Sequence, residues 1–333
     1  MSKLRVGLVG IGMMGRNHAR VLNSMDDIEL VAVADPAGDK FRMAGDAQVV
    51  ATVSEMIAAG INAAIVSVPT AFHLQAGLEL ADSGIHTLVE KPLATDTSDS
   101  ERLVEAFETA GLTNAVGHIE RYNPALRALR TRLENGDLGE IYQVATRRQS
   151  PFPNRISDVG VVKDLATHDI DLTPWVIQSP YAVVSAHTAH KSGREYEDLI
   201  SITARMVDDT VANHLVNWLS PLKERVTVVT GEKGAFIADT LHGDLTFHEN
   251  GVVATEWEHV RSFRGVTEGD STRYAIAKPE PLRVQHENFR DAVLGRSNDI
   301  VTMREGLATV AVADACITSA REGRAVQIVQ DTS

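Results

Sequence analysis

Residues 5–10 read Arg-Val-Gly-Leu-Val-Gly, and the last of these glycines opens Gly10-Ile11-Gly12-Met13-Met14-Gly15. A short Val/Leu run bounded by glycine has the pattern of a strand buried on both faces. Residues 14–24 follow with helical spacing, Ala19 and Leu22 on one face and Arg16 and Arg20 elsewhere. A strand, a G-x-G-x-x-G turn and a helix in that order leave few folds open. Alone the hexapeptide is a weak signal, but in this position each glycine has a role. Gly10 allows the tight turn, Gly12 lets a ligand approach the backbone, and Gly15 lets helix and strand pack closely. The free N–H groups and partial positive charge of the helix start suit a pyrophosphate. Gly10, Ile11, Gly12, Met13, Met14 and Gly15 are therefore expected at a bound dinucleotide.

The same alternation continues. Residues 28–35, 63–68 and 87–90 read as further strands, with helical spacing over 73–83 and 99–110. Strand–helix–strand units at this spacing predict an α/β fold with a parallel, doubly wound Rossmann sheet. Ligands of such sheets lie beyond the carboxyl ends of the strands, which adds Asp35, Pro69, Thr70, His73, Glu90 and Lys91 to the cofactor candidates. Asp35 stands 20 residues after Gly15. A carboxylate there accepts hydrogen bonds from the adenosine ribose and repels a 2′-phosphate, favouring NAD over NADP. Asp35 is also the first residue of an Asp-Pro-Ala-Gly turn, which needs no ligand.

A chain of 333 residues fits two domains, drawn at 1–120 and 121–333. It is long enough to bury a core without disulfide or metal. Its one cysteine, Cys316, cannot pair within the chain and reads as a small core residue of a helix, in a reducing cytoplasm. The net charge of −13 disfavours nucleic acid as a partner. The N-terminus has no apolar leader, and no apolar run nears the roughly 20 residues that span a bilayer. The histidines show no metal-ligand spacing, and no G-x-S-x-G elbow is present. A soluble cytoplasmic protein acting on a small molecule is expected, with no metal, membrane or nucleic acid.

Two segments carry candidate chemistry. Lys91, in Glu90-Lys91-Pro92, could stabilise negative charge developing on a substrate oxygen, or be a solvated lysine before a turn. Downstream, 161–171 has apolar positions that fit a helix running toward Trp175. Asp164 and His168 are four apart on it, so the carboxylate could orient an imidazole that takes a hydroxyl proton. A surface Asp–His pair is the plainer alternative, and Asp169 and Asp171 read as solvated or capping carboxylates. Residues 121–163 also hold eight basic side chains against four acidic ones. Arginine forks suit phosphate oxygens, so Arg121, Arg147, Arg148 and Arg155 hint at a phosphorylated or nucleotide-linked substrate, although Arg127 to Arg132 read as an outer helix face.

Together the glycine loop, Glu90-Lys91-Pro92 and Asp164-x-x-x-His168 resemble the Gfo/Idh/MocA oxidoreductase family over essentially the whole chain. The resemblance implies Lys91, Asp164 and His168 as the catalytic set and NAD as cofactor. Gly117-His118-Ile119-Glu120-Arg121-Tyr122-Asn123-Pro124, the stretch from Arg147 to Gly160, and Val216-Asn217-Trp218-Leu219-Ser220-Pro221 with Lys223 and Arg225 resemble its branch containing UDP-N-acetylglucosamine 3-dehydrogenases. That branch implies a nucleotide-sugar substrate, with Lys91, Arg121, Tyr122, Asn123, Arg148, Arg155, Asp164 and His168 as its contacts. Lys163 departs from the pattern, being a cation where an apolar residue is expected, and is read as turned away toward solvent. The family's second domain is an open, mostly antiparallel sheet, for which 141–149, 181–190, 197–206, 210–218, 225–231 and 234–240 read as strands. In 210–218 both faces are partly apolar, which implies a partner copy and hence a homodimer or homotetramer.

Overall fold

The computed structural model describes residues 3–153, 159–251 and 267–329. The chain divides into two compact units, residues 1–119 with 280–311 and residues 120–279 with 312–333. A single cut near residue 120 is thus replaced by a chain that returns to its first unit.

The first unit is built on six parallel strands: β1 (Leu4–Val9), β2 (Ile28–Ala34), β3 (Gln48–Val50), β4 (Ala63–Val66), β5 (His86–Val89) and β6 (Asn114–Val116). Their order, β3-β2-β1-β4-β5-β6, reverses between β1 and β4, and a ligand crevice forms at such a reversal. β1 and β4 are almost wholly buried, as central parallel strands covered on both faces must be. The cover comes from α1 (Met13–Asn23), α2 (Val53–Ala58), α3 (His73–Asp82) and α4 (Thr97–Thr109). Helix starts are fixed locally. Thr52 and Glu55 form a reciprocal cap on α2, and the Asp96 carboxylate accepts Asp99 N–H on α4. The returning segment adds α7 (Pro281–Val293), whose Leu282 and Phe289 join the core beneath β1 and β2. It also adds the first part of α8 (Met303–Glu322), with Met303, Leu307 and Val310 in the core around β4 and β5.

The second unit holds a nine-stranded sheet in the order β14-β13-β12-β11-β7-β10-β9-β8-β15. These are β7 (Ile141–Pro151), β8 (Tyr181–Ala189), β9 (Leu199–Met206), β10 (Val211–Asn217), β11 (Leu219–Gly231), β12 (Gly234–Asp239), β13 (Asp244–Gly251), β14 (Thr267–Arg273) and β15 (Val326–Gln327). All neighbours are antiparallel except β7 and β10, which run parallel. Helices α5 (Pro124–Glu134) and α6 (Thr167–Ile177) share a core with Val144, Ile202, Val216 and Phe236. Cys316 is fully buried there on the later part of α8, and burial pushes its thiol up to about 12. On β9 the residues alternate strictly, Ile200, Ile202, Ala204 and Met206 inward and Ser201, Thr203 and Arg205 outward. Among the described residues no helix is long and apolar enough to cross a membrane.

Candidate active site

In the first unit β1 hands over to the glycine loop. Gly10 has φ +86°, where a side chain would be strained. A Cβ on Gly15 would stand 2.1 Å from the Gly10 carbonyl oxygen, so strand and helix meet at a distance that only glycine permits. Nothing lies within 4 Å of a Cβ on Gly12, which leaves the backbone at the helix start open to a ligand. Asp35 has two ties: Oδ2 accepts Ile11 N–H at 3.0 Å and Oδ1 accepts Ala37 N–H at 2.8 Å. It therefore forms the expected turn and also braces the glycine loop, leaving lone pairs for ribose hydroxyls. Gly10, Gly12, Asp35, Thr52, Pro69 and Phe72 line a cleft of about 570 Å³. A glycine-lined helix start beside a carboxylate fits a dinucleotide.

The other cofactor candidates fall in different surroundings. Met13 is exposed, Ile11 buried, and Met14 packs partly against the core. Thr70 is half-buried in the turn before α3. His73 is buried, its Nε2 3.0 Å from Val68 O and its Nδ1 3.0 Å from Pro92 O. Burial pushes its pKa down. Glu90 is also buried, its Oε1 2.9 Å from His18 Nε2 and its Oε2 accepting Lys91 N–H at 3.1 Å. Lys91, half-buried, follows at the end of β5 and precedes Pro92 through a cis peptide bond.

In the second unit the helix that carries Asp164 and His168 starts with a π turn, Val162–Ala166, before α6. A π turn interrupts regular α hydrogen bonding and recurs at functional sites. Glu197 anchors its front. The carbonyl of Glu197 accepts Val161 N–H, and its carboxylate accepts Val162 N–H, both at 3.0 Å. The carboxylate fills the space where a Cβ on Gly160 would be, 1.9 Å away. Val162, Leu165, Ala166 and Thr167 are buried, whereas Asp164 and His168 are only half-buried. Lys163 does not point to solvent: its ammonium pairs with Asp314 on α8, at 14% side-chain exposure.

The arginine hint takes a different form in the structure. Arg121 grips Asp171 with Nη2 at 2.7 Å and Nε at 3.0 Å, and Arg148 reaches Asp169 and Glu120, both at 2.9 Å. All five groups are buried. Asp169 and Asp171 are thus counter-ions in the core, neither solvated nor capping, and their guanidinium partners have no free fork for phosphate. Burial alone would raise the Glu120 carboxyl, but the charges of Arg148 and Arg225 outweigh it and hold it below its usual range. Asn123 caps α5 through Ala125 N–H and donates to Thr240 O, and Tyr122 is buried beneath the Arg127 guanidinium. Arg130, Arg132 and Arg147 pair with Glu134, Asp137 and Glu224. Arg155 lies outside the described residues. Arg225, quoted only as part of a motif, is the cation that sequence reasoning passed over. It is half-buried, 3.4 Å from Glu120, and within the electrostatic reach of Asp164. A charged residue in mid-strand was the only signal for it.

Comparison with known proteins agrees with this architecture. Residues 4–118 match the profile of the oxidoreductase family with an NAD-binding Rossmann fold, and residues 130–328 match that family's C-terminal alpha/beta domain. Myo-inositol dehydrogenase Hyg17 of Streptomyces leeuwenhoekii is 32% identical over 244 residues, 69% of this chain and 75% of that protein. UDP-N-acetylglucosamine 3-dehydrogenase of Acidithiobacillus ferrooxidans is 30% identical over 175 residues, 52% of this chain and 54% of that protein. The WlbA dehydrogenase of Bordetella pertussis, solved with NADH and UDP-GlcNAcA, superposes with a TM-score of 0.79 at 26% identity, covering 99% of this chain and 100% of that one. With both of its profiles matched in order along the chain, this protein belongs to the Gfo/Idh/MocA family of NAD-binding oxidoreductases.

Proposed function

We propose that the protein oxidises a secondary hydroxyl of a sugar to the ketone, with C3 of a UDP-linked N-acetylhexosamine as the leading substrate. Bound NAD supplies the hydride acceptor. His168 takes the hydroxyl proton, Lys91 draws charge onto the same oxygen, and Asp164 orients the imidazole and stabilises its protonated form. The observation that carries this reading is that Asp164, on the π turn, and His168, one turn on in α6, are half-buried while Val162, Leu165, Ala166 and Thr167 around them are buried. The substrate class is supported by the near-complete overlap with a dehydrogenase solved with UDP-GlcNAcA.

One observation favours a second substrate, a free polyol such as an inositol. Arg121 and Arg148 are already neutralised inside the protein, so they lend no support to a diphosphate. The similarity to a myo-inositol dehydrogenase over 69% of the chain points the same way. Purified protein mixed with NAD and a panel of UDP-sugars and free polyols, followed at 340 nm with and without 2-oxoglutarate, separates the two. A rise with UDP-N-acetylhexosamines alone supports the leading substrate. A rise with inositols alone keeps the chemistry and discards the nucleotide sugar.

A second copy of the chain is proposed to cover the outer face of the second sheet. Val211 and Leu215 on β10 stand out at 41% and 38% exposure. Leu215, with Ala145, Val226 and Val228, borders a shallow depression of about 350 Å³, an apolar surface of the kind partners cover. The single, buried thiol suits a reducing cytoplasm.

A further inference from the structure

Three titratable side chains stand in a row inside the first unit. Glu90 closes β5, His18 faces inward from α1, and His286 faces inward from α7. His18 Nε2 is 2.9 Å from Glu90 Oε1, and His18 Nδ1 is 2.9 Å from His286 Nε2. Their exposures are 8%, 0% and 1%. Such a row is demanding to bury, and apolar side chains of similar volume would fill the same space without any need for partners. Two further features show what the row holds. The second oxygen of Glu90 accepts the backbone N–H of Lys91 at 3.1 Å. Gly117 provides the seat, since a Cβ there would lie 2.9 Å from the Glu90 carboxyl carbon.

The far side of the same turn meets a second buried imidazole. His73, itself 1% exposed, has Nδ1 3.0 Å from Pro92 O. The backbone around Lys91 is therefore gripped at its N–H by the carboxylate. The neutral His73 ring, with Nε2 also 3.0 Å from Val68 O, packs against the Pro92 carbonyl and can give its single N–H to one of these two oxygens. With Glu90 ionised, His18 Nε2 is the donor in the pair. The row then ends at His286, which burial keeps neutral and out of contact with solvent. A row with a closed end cannot carry protons to water. What it can do is hold a geometry.

The geometry points to His18 and His286 as positioning residues that act through Glu90 to fix the backbone from which Lys91 projects. This rests on the reading of Lys91 as a catalytic group. Full-length protein with NAD serves as the test, in the variants His18→Leu, His18→Gln, His286→Leu and His286→Gln. A glutamine amide nitrogen reaches about where imidazole Nε2 lies, so each Gln variant keeps its donor.

Three quantities are read: kcat, the Kd for NAD, and hydrogen exchange of the Lys91 amide. His18→Leu is expected to lower kcat about 10- to 100-fold and speed Lys91 amide exchange at least about tenfold, with the NAD Kd changed by less than about threefold. His18→Gln is expected to recover both losses. Unchanged kcat in His18→Leu, while Lys91→Ala is slow, overturns the positioning role alone. Full kcat in Lys91→Ala removes the catalytic reading of Lys91 and the inference with it. Equal losses of kcat and NAD affinity that glutamine does not recover reduce His18 to a structural residue of α1 and also overturn it. If His18→Leu does not fold, the His286 pair decides one link further out. A fall in kcat with leucine that glutamine reverses supports the row, and an unchanged kcat contradicts it.

Discussion

At the scale of residues, the account depends on which ionisable side chains are half-buried and which are enclosed in the core. Lys91, Asp164 and His168 are half-buried, while Arg121, Arg148, Asp169 and Asp171 are locked together in the core. Replacing Lys91 or His168 by Ala is expected to lower kcat by about 10²–10⁴ while NAD binding, read by calorimetry, stays largely intact. A His168→Ala enzyme with near-normal rates would remove that residue from the mechanism. Arg148 should behave in the opposite way. Arg148→Met leaves Glu120 and Asp169 buried without their shared cation, and should cost about 3–5 kcal/mol in urea unfolding. A stable Arg148→Met protein whose only defect is a raised KM would mean that Arg148 binds substrate after all. The sequence could not separate these two classes. Asp164 and Asp169 are both aspartates on one helical segment, and the partners that draw Asp169 and Asp171 inward lie 21 and 50 residues away.

At the scale of elements, the segment carrying Asp164 and His168 is set by its first turn. Gly160→Ala would force the Glu197 carboxylate off Val162 N–H, a lost helix-end contact of about 0.5–2 kcal/mol. The variant is expected to lose kcat beyond that modest fall in stability, because the π turn that presents Asp164 loosens with it. Equal kcat in Gly160→Ala and the parent would contradict this. The second sheet carries its own pH dependence. His214 on β10 is buried between Thr146 Oγ1 at 2.8 Å and the Tyr181 hydroxyl at 2.9 Å, and burial lowers its pKa from 6.5 to about 4. Between those values the unfolded chain binds the proton more readily, so His214 stabilises the fold above pH 6.5 and that support fades as pH falls toward 4. Urea midpoints from pH 7 to 4.5 should therefore fall more steeply for the parent than for His214→Gln, and parallel curves would refute the assignment. α1 and β9 were legible because burial on one face imposes their period, and β1 because a strand covered on both faces reads as a continuous apolar run. The π turn was not, since its apolar positions suit an α-helix equally well. The three-residue β3 and β6 are too short to show any period.

At the scale of the whole molecule, the NAD-binding Rossmann fold could be read from the sequence, because a strand, a glycine turn and a helix appear in order within the first 24 residues. The return of residues 280–311 to the first unit could not, since α7 and α8 carry ordinary amphipathic patterns that do not say which core they serve. The outer sheet face predicts that light scattering will give a multiple of 36.1 kDa. A mass near 36.1 kDa would leave that face without its partner. The central claim is that a hydride leaves the sugar carbon whose secondary hydroxyl is oxidised, C3 in the leading substrate, and ends on the nicotinamide. The most direct measurement is mass spectrometry of the cofactor after incubation with UDP-N-acetylglucosamine deuterated at C3, which reads the transfer even if the reduced cofactor stays bound. One deuterium in the recovered NADH, together with a keto sugar lacking it, is the predicted result. Reduced cofactor without deuterium, or no reduction with any sugar or polyol tried, would contradict the account.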